Sequence, residues 1–238
     1  MAILDPIEIL LSQAFPVIFM QTLQQSSRLR EQFQSQVKPS KAAGLKKVAQ
    51  PFSGTLLERF TSISHDVKQL QNSIKGTIGE SFVSYSLAFD SLPDTWFCFP
   101  NALIPVGNKV TEVDRLIVSP NGVFLIEVKN WKGSFVAYRD NWKRREGNNW
   151  IPFQNSPTKQ SLYHQRCFYK WIRPLVPNLP PDFVHAPVVF ISARWIDAKE
   201  CSVPVLGNLR ILKSFILKTQ KCLTQEQVNQ IVKALSEA

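Results

Sequence analysis

Residues 111–133 contain two apolar runs separated by a turn tetrapeptide, and this arrangement constrains the fold more than any other part of the chain. The runs TEVDRLIV and VFLIEVKN are rich in Val, Ile, Leu and Phe, which favour β-strands. Between them lies Ser119-Pro120-Asn121-Gly122, and Asn-Gly readily adopts the backbone angles of a tight turn. The segment therefore predicts an antiparallel hairpin.

Side chains alternate between the two faces of a strand, so the loop length decides which residues share a face. A four-residue loop places Asp114 opposite Glu127, whereas a two-residue loop at Asn121-Gly122 places Asp114 opposite Lys129. Both loops are even in length, so both put Asp114, Glu127 and Lys129 on one face. Directly opposite side chains lie about 5 Å apart. Two carboxylates at that spacing can hold one divalent cation with the lysine ammonium beside them.

The other face of the predicted hairpin is apolar and is the predicted core side; it carries Val113, Ile117, Phe124, Ile126 and Val128. Charges that alternate with apolar residues also occur on any antiparallel pair with one solvated face. Leu116 and Leu125 lie on the charged face, however, and indicate a partly covered cleft. Carboxylates in such a cleft are costly unless a cation compensates their charge.

Composition bounds what the rest of the chain can do. With 238 residues, 44% of them hydrophobic, the chain can form one moderate domain with an appendage or two small domains. Its net charge of +10 favours a polyanionic partner, either nucleic acid or an anionic membrane surface. The four cysteines lack metal-ligand spacing, so we predict neither a disulfide framework nor a zinc site. We expect a reducing, cytoplasmic location.

Residues 1–73 are predicted to be a helical extension with a basic linker, and residues 1–50 of this extension are predicted to be separable from the domain that follows. Apolar residues at helical spacing predict a helix over 1–23. Acidic and polar residues interrupt that helix, which favours a docking or surface-associated role over a membrane span. Lys, Pro and Gly predict an exposed linker at 39–50, and a 3–4 apolar spacing predicts an amphipathic helix over 54–73.

The main domain is predicted to span residues 74–238. Near its start, Thr77 and Glu80 stand three residues apart before an apolar run, which is a capping-box pattern. Glu80 therefore has a structural role available to it. Its alternative role is a third acidic group beside Asp114 and Glu127.

Further short strands are predicted on both sides of the hairpin. A strand at 96–100 and a Pro- and Gly-bearing loop at 101–109 precede it, and strands at 133–139 and 142–150 follow it. The apolar run HAPVVFIS predicts one fully buried strand. Two helices are predicted in the tail, the second beginning with a capping box.

Basic residues surround a tryptophan in the run RDNWKRRE. Such interleaving suits phosphate contacts combined with base stacking. The alternative is an exposed hairpin with a packing tryptophan. We predict a nucleic-acid-binding set that consists of Lys132, Arg139, Trp142, Lys143, Arg144 and Arg145.

A helix is predicted over residues 157–173, with Pro157 in its first turn. Gln160 and Tyr163 are among its polar candidates. His164 lies one turn after Gln160, and we expect it to be structural or solvated, as a lone helical histidine usually is.

Three motifs together resemble the NERD (nuclease-related) family, which is related to the PD-(D/E)xK restriction-endonuclease-like nucleases. They are KGTIGE, VDRLIVSPNGVFLIEVKNWKG and the P-x-x-Q of Pro157 to Gln160. The similarity covers roughly residues 74–192. It implies an α/β fold in which helices flank a mixed sheet with a restriction-endonuclease-like core. One departure is Ser156, where the family pattern leads us to expect Asn.

The resemblance also implies roles for individual residues. Glu80 matches the acid of the helix, Asp114 the acid before the turn, and Glu127 with Lys129 the E-x-K pair. Gln160 matches the glutamine of the following helix. Lys129 could orient the attacking water or neutralise charge on the phosphoryl group. The implied metal ligands are Asp114, Glu127, Glu80 and the backbone carbonyl of Val128.

The chemistry of these residues favours phosphodiester hydrolysis, which needs a water activated at neutral pH and stabilised phosphoryl oxygens. We therefore expect a Mg²⁺-dependent nuclease, with Mn²⁺ as the alternative ion, that acts on DNA in preference to RNA. The alternative is a catalytically inactive nucleic-acid-binding or scaffold protein that keeps the fold. A third, weaker hypothesis is a membrane-associated factor anchored by residues 1–23. The sequence leaves open whether the protein forms a homodimer.

Overall fold

Two β-sheets and the helices that pack on them form the part of the chain that the computed structural model describes, residues 20–44, 92–93 and 95–238. Elements are numbered over these residues. The helices are α1 (Ser27–Gly44), α2 (Pro157–Ile172), α3 (Leu209–Lys218) and α4 (Gln225–Glu237). The strands are β1 (Gln21–Thr22), β2 (Phe97–Val106), β3 (Lys109–Ser119), β4 (Gly122–Lys129), β5 (Gly133–Tyr138), β6 (Asn141–Glu146), β7 (Asn149–Phe153), β8 (Val184–His185), β9 (Val188–Phe190), β10 (Ala193–Lys199) and β11 (Val205–Leu206).

The larger sheet is mixed and has the described strand order β1-β2-β3-β4-β9-β11, with β8 also paired to β4. Its central strands β2, β3 and β4 are antiparallel, whereas β9 runs parallel to β4. The smaller sheet has the order β10-β5-β6-β7. Helices flank these sheets, so the predicted fold class is confirmed, and the arrangement is consistent with a restriction-endonuclease-like core.

Both faces of the central hairpin are buried. Leu116 and Leu125 pack beneath α2 and α4 in what we name the α2-side core. On the opposite face, Ile117 and Phe124 pack against α3 with Ile126 and the partly buried Val128, in what we name the α3-side core. The prediction that placed Val113 on that same face is wrong, because Val113 belongs to the α2-side core.

Residues 20–36 are attached to the larger sheet, so the prediction that 1–50 would separate from the domain is wrong for this stretch. β1 pairs in parallel with β2 where a helix was expected. Gln25 makes two hydrogen bonds to the backbone of Leu103, at 2.6 and 2.9 Å. Leu29 of α1 is buried against Leu103 and Val110. Packing of an apolar face is what stabilises most helices in proteins, and composition alone does not reveal it.

Helix α1 also continues through Gly44, six residues into the predicted linker at 39–50. The rest of that linker lies outside the described residues. The same is true of residues 1–19, of the helix predicted over 54–73 and of the domain boundary at residue 74. None of the described helices combines the length and the apolarity that a membrane crossing requires.

Several strands differ from their predicted bounds. The predicted loop at 101–109 is mostly strand, because β2 pairs with β3 as far as Val106, opposite Lys109. The run HAPVVFIS contributes two short strands, β8 and β9, instead of one. β10 was not predicted. The helix predicted at 157–173 and the capping box of Thr224 with Gln227 are confirmed.

Candidate active site

The hairpin has the register of the predicted four-residue loop. Val118 pairs with Val123, and Ser119 with Gly122. The paired positions continue to Arg115 and Ile126. One further step in this register brings Asp114 and Glu127 to the same level of the sheet.

The larger sheet divides at this level. β3 stays paired with β2, where Val113 lies opposite Ala102, and β4 stays paired with β9, where Glu127 lies opposite Val188. The paired positions of β3 and β4 end at Arg115 and Ile126. Beyond them, the Val128 backbone N–H donates to the side chain of Asp114, at 2.7 Å from Oδ2. We call this place the fork. The N–H and C=O of one strand residue point to the same side, so the Val128 carbonyl also faces the fork.

Three polar side chains meet at the fork from β4 and α2. Glu127 is 3% exposed, and its Oε1 lies 2.5 Å from Lys129 Nζ. Lys129 Nζ also donates to Gln160 Oε1 at 3.2 Å. Gln160 stands in the first turn of α2, which packs on β4. The structure therefore brings together Asp114, Glu127, Lys129 and Gln160, as the sequence predicts.

His164 joins this group one helical turn after Gln160. Its ring is buried, and its Nδ1 lies 3.6 Å from Glu127 Oε2 without a hydrogen-bond partner. Burial lowers the pKa of His164 to about 4, although the charge of Asp114 acts in the opposite direction. The imidazole is therefore neutral at pH 7. The sequence analysis treated His164 as structural or solvated; its i+4 spacing from Gln160 was the signal for a shared helix face.

The charges at the fork shift each other's protonation. Burial, and then the nearby carboxylate of Glu127, raise the pKa of Asp114 to about 7. For Lys129, burial alone would lower the pKa, but the charges of Glu127 and Asp114 outweigh it and leave the pKa raised. The Lys129 ammonium therefore stays charged although it is buried, and the carboxyl groups of Asp114 and Glu127 lie close enough to disfavour ionisation of Asp114.

Glu112 is an acidic residue near the fork that the sequence analysis missed. It lies two residues before Asp114 on β3, and the charges of Asp114 and Glu127 both act on its carboxyl group. Burial, and then the charge of Asp114, raise the pKa of Glu112 to about 7, with Arg30 of α1 opposing the shift. The alternation Glu112, Asp114 in TEVDRL was the available signal.

The donors at the fork fit a hard divalent cation better than a soft one. Asp114 and Glu127 offer carboxylate oxygens, and Val128 offers a carbonyl oxygen on the side where the ladder has ended. Oxygen ligands are those that Mg²⁺ prefers. Within the ranges that the structure describes, no group of three or more His, Cys, Asp or Glu residues is placed to hold a metal. Glu80, the predicted third acid, lies outside those ranges.

The predicted nucleic-acid-binding set divides into exposed and buried members. Trp142 is only 2% exposed, stacks on Phe190 at 5.3 Å and donates to Thr158 Oγ1 at 3.0 Å. Its prediction as a base-stacking residue is therefore wrong, because strand alternation turns its ring into the core. The remaining members have exposed side chains: Lys132, Arg139, Lys143, Arg144 and Arg145.

Ser156, the departure from the family pattern, has a structural role. Its hydroxyl accepts from the Lys159 backbone N–H at 3.3 Å and caps the N-terminus of α2. The same hydroxyl donates to the Asp140 carbonyl at 3.0 Å. Serine is one of the preferred residues at such a position. The cap fixes the start of the helix that carries Gln160.

Comparison with protein families finds one match, and it covers the segment that contains the fork. Residues 75–191 match the model of NERD, the nuclease-related domain. The resemblance predicted from the sequence is confirmed over this range. The comparisons with curated proteins and with solved structures found no match.

The matched segment includes each predicted catalytic residue, from Glu80 to Gln160, and also His164. It begins after α1 and ends just before β10. The match supports a nuclease-related function at the level of the family.

In the metal-free protein, we expect the free energy of unfolding to fall as the pH rises from about 4 to about 7. Asp114 and Glu112 have folded-state pKa values of about 7, so the folded protein keeps protons that the unfolded chain has released. His164 and His185 act oppositely, because burial lowers the pKa of both imidazoles and their contribution is lost as the pH falls below 6.5. The two carboxyls outweigh the two imidazoles over this window.

Urea unfolding at a series of pH values, with a chelator present, measures this slope. Asp114→Asn should make the decline shallower, whereas Glu146→Gln, which removes an exposed carboxylate of β6, should leave it unchanged. An identical slope in Asp114→Asn and in the wild type would contradict the assignment.

Proposed function

We propose that the chain is a Mg²⁺-dependent nuclease that hydrolyses phosphodiester bonds in DNA, with the fork of the larger sheet as its active site. The observation that carries the proposal is the convergence of Asp114, Glu127 and Lys129 at the fork, inside the segment that matches the nuclease-related domain. Mn²⁺ is an alternative ion with the same preference for oxygen ligands.

Asp114, Glu127 and the carbonyl of Val128 would hold the ion. When bound, Mg²⁺ supplies Lewis-acid stabilisation of the phosphoryl oxygens and a lower pKa for bound water. Two carboxylates from the protein leave positions for water and for a phosphate oxygen. The raised pKa of Asp114 supports this role, because a bound cation would offset both the burial and the Glu127 charge that raise it.

Lys129 would orient the attacking water or neutralise the negative charge that develops on the phosphoryl oxygens. Its ammonium is held in place by Glu127 and by Gln160 of α2. The ring of Trp131 lies 5.6 Å from the same ammonium and adds a cation–π contact. A charge fixed before the reaction is more effective than one that must reorganise during it.

The test is cleavage of plasmid DNA, of a single-stranded DNA and of an RNA of the same sequence, with Mg²⁺, Mn²⁺ or a chelator. We expect cleavage with either metal and none with chelator. Lys129→Ala should lower the rate by about 10²-fold or more, the usual cost of removing a group that stabilises the transition state. Lys233→Ala removes an exposed lysine of α4, outside the predicted sites; it is the matched control and should retain the wild-type rate.

Each other outcome has a defined meaning. Preferential cleavage of RNA would overturn the choice of DNA. Nucleic-acid binding without turnover under any metal condition would favour the alternative, an inactive binding or scaffold protein with the nuclease fold. Equal rates for Lys129→Ala and the wild type would place the active site elsewhere.

A further inference from the structure

The outer face of the smaller sheet carries an aromatic and basic row that the proposed active site does not use. Trp195 of β10 pairs with Ser134 of β5, and Arg145 of β6 pairs with Trp150 of β7. The register of β5 with β6, continued by one step from Phe135 and Arg144, places Ser134 beside Arg145. The row therefore crosses all four strands of this sheet in the order Trp195, Ser134, Arg145 and Trp150.

An open cleft of about 570 Å³ lies along this row and is lined by the row residues together with Arg194. The rings of Trp150 and Trp195 lean toward each other, with centroids 6.0 Å apart. The Arg145 guanidinium lies 5.8 Å from the Trp150 ring. Trp195 is nevertheless 48% exposed, so part of its ring remains accessible. We name these five residues the tryptophan cleft.

The chemistry of the tryptophan cleft matches that of an unpaired nucleic-acid strand. Guanidinium groups bind phosphate oxygens, and aromatic rings stack on base faces. In a duplex the neighbouring bases cover those faces, so stacking on a protein ring selects single-stranded segments. Two arginines make the cleft positive, which disfavours a cationic ligand such as a methylated lysine.

Short connections join the strands of the fork to the strands of the tryptophan cleft. β4 leads into β5, and β9 leads into β10, through two short connections joined by a hydrogen bond from Ser192 Oγ to Asn130 Oδ1. Ser134 lies five positions after Lys129, so their Cα atoms are at most about 18 Å apart. A stacked strand covers that distance in about five nucleotides, at about 3.4 Å each.

We propose that the tryptophan cleft binds an unpaired segment of a DNA strand, with a base stacked on Trp195 and phosphates at Arg145 and Arg194. The cleft thereby selects substrates that have a single-stranded segment within about five nucleotides of the bond at the fork. This selection rests on the proposed nuclease function, whereas the binding itself does not. Arg194 and Trp195 lie beyond residues 75–191, so the match to the nuclease-related domain does not account for them.

The experiment measures binding of the full-length protein to a labelled oligothymidine by fluorescence anisotropy, with a chelator present so that no cleavage occurs. A blunt duplex is the comparison ligand. We expect tighter binding of the single strand and quenching of tryptophan fluorescence as a base stacks. Trp195→Ala should weaken single-strand binding about tenfold. Trp195→Phe keeps a ring and should restore most of the affinity.

Charge is tested separately from stacking. Arg194→Gln should weaken binding and lower the slope of log affinity against log salt by about 0.7, the value for one phosphate contact on a single strand. Arg173→Gln removes an exposed charge at the end of α2 and is the matched control, with little effect expected. Tyr138→Ala removes an exposed ring of the same sheet outside the cleft and should also have little effect.

The proposal is overturned if Trp195→Ala and Arg194→Gln bind the oligonucleotide as tightly as their controls, because the cleft would then serve another class of ligand. Equal affinities for single strand and duplex would also overturn it. Thermal melts establish that each variant is folded. A failure of cleavage leaves the binding results intact, and cleavage with unchanged binding by the variants leaves the proposed function intact, so the two failures are distinguishable.

Discussion

Glu127→Gln is expected to lower the rate of Mg²⁺-dependent DNA cleavage by about 10³-fold and to remove the rise in melting temperature that Mg²⁺ gives the wild type. The amide keeps the shape of the side chain and an oxygen for Lys129, but it loses the charge that would hold the ion. Cleavage rates, and thermal melts at neutral pH with millimolar metal or with chelator, measure both effects. The variant should remain folded.

The matched control is Glu237→Gln, which removes a carboxylate from an exposed ion pair with Lys233 of α4. This variant should keep the wild-type rate and metal response. If Glu127→Gln shows the same metal-induced shift as the wild type, the ion binds elsewhere and the proposed active site loses its chemical basis.

Trp142→Ala is expected to lower the free energy of unfolding by about 3–5 kcal/mol, the usual cost of truncating a large buried aromatic residue. The ring packs on Phe190 between the two sheets, and its N–H is bonded to Thr158 at the start of α2. Urea unfolding measures the loss. The exposed Trp195→Ala is the matched control and should change stability far less.

Trp142→Phe separates packing from hydrogen bonding. It keeps an aromatic ring in the core but removes the donor to Thr158, and so should cost less than the alanine variant. If Trp142→Ala instead left stability unchanged and weakened nucleic-acid binding, the original base-stacking interpretation would be right and the buried position wrong.

The hairpin and its charged face could be predicted because the information is local. Pro120, Asn121 and Gly122 specify a turn, and the period of two along each strand then determines which residues share a face. Both candidate loops are even in length, so Asp114, Glu127 and Lys129 were predicted to share a face in either register. Helix α2 could be predicted for the same reason, since Pro157 marks its start, whereas the burial of Ser161 and His164 could not.

The features that could not be predicted depend on contacts between distant parts of the chain. Trp142 lies in a basic run, and only the register of β6 with β5 shows that its ring faces inward. Trp195 lies next to Trp150 because β10 joins the smaller sheet in parallel with β5, a pairing that no local pattern indicates. The attachment of residues 20–36 likewise depends on Leu103 and Val110, more than 70 positions later.

The fork has a mechanical consequence. Asp114 belongs to the half of the sheet formed with β2, and Glu127 to the half formed with β9, so the gap between the carboxylates depends on the angle at which the halves diverge. An ion bound by both would cross-link the halves. Gln25 and Leu29 hold the N-terminal segment on β2, at the outer side of one half. The N-terminal segment therefore acts, through β2 and β3, on the distance between the carboxylates of Asp114 and Glu127.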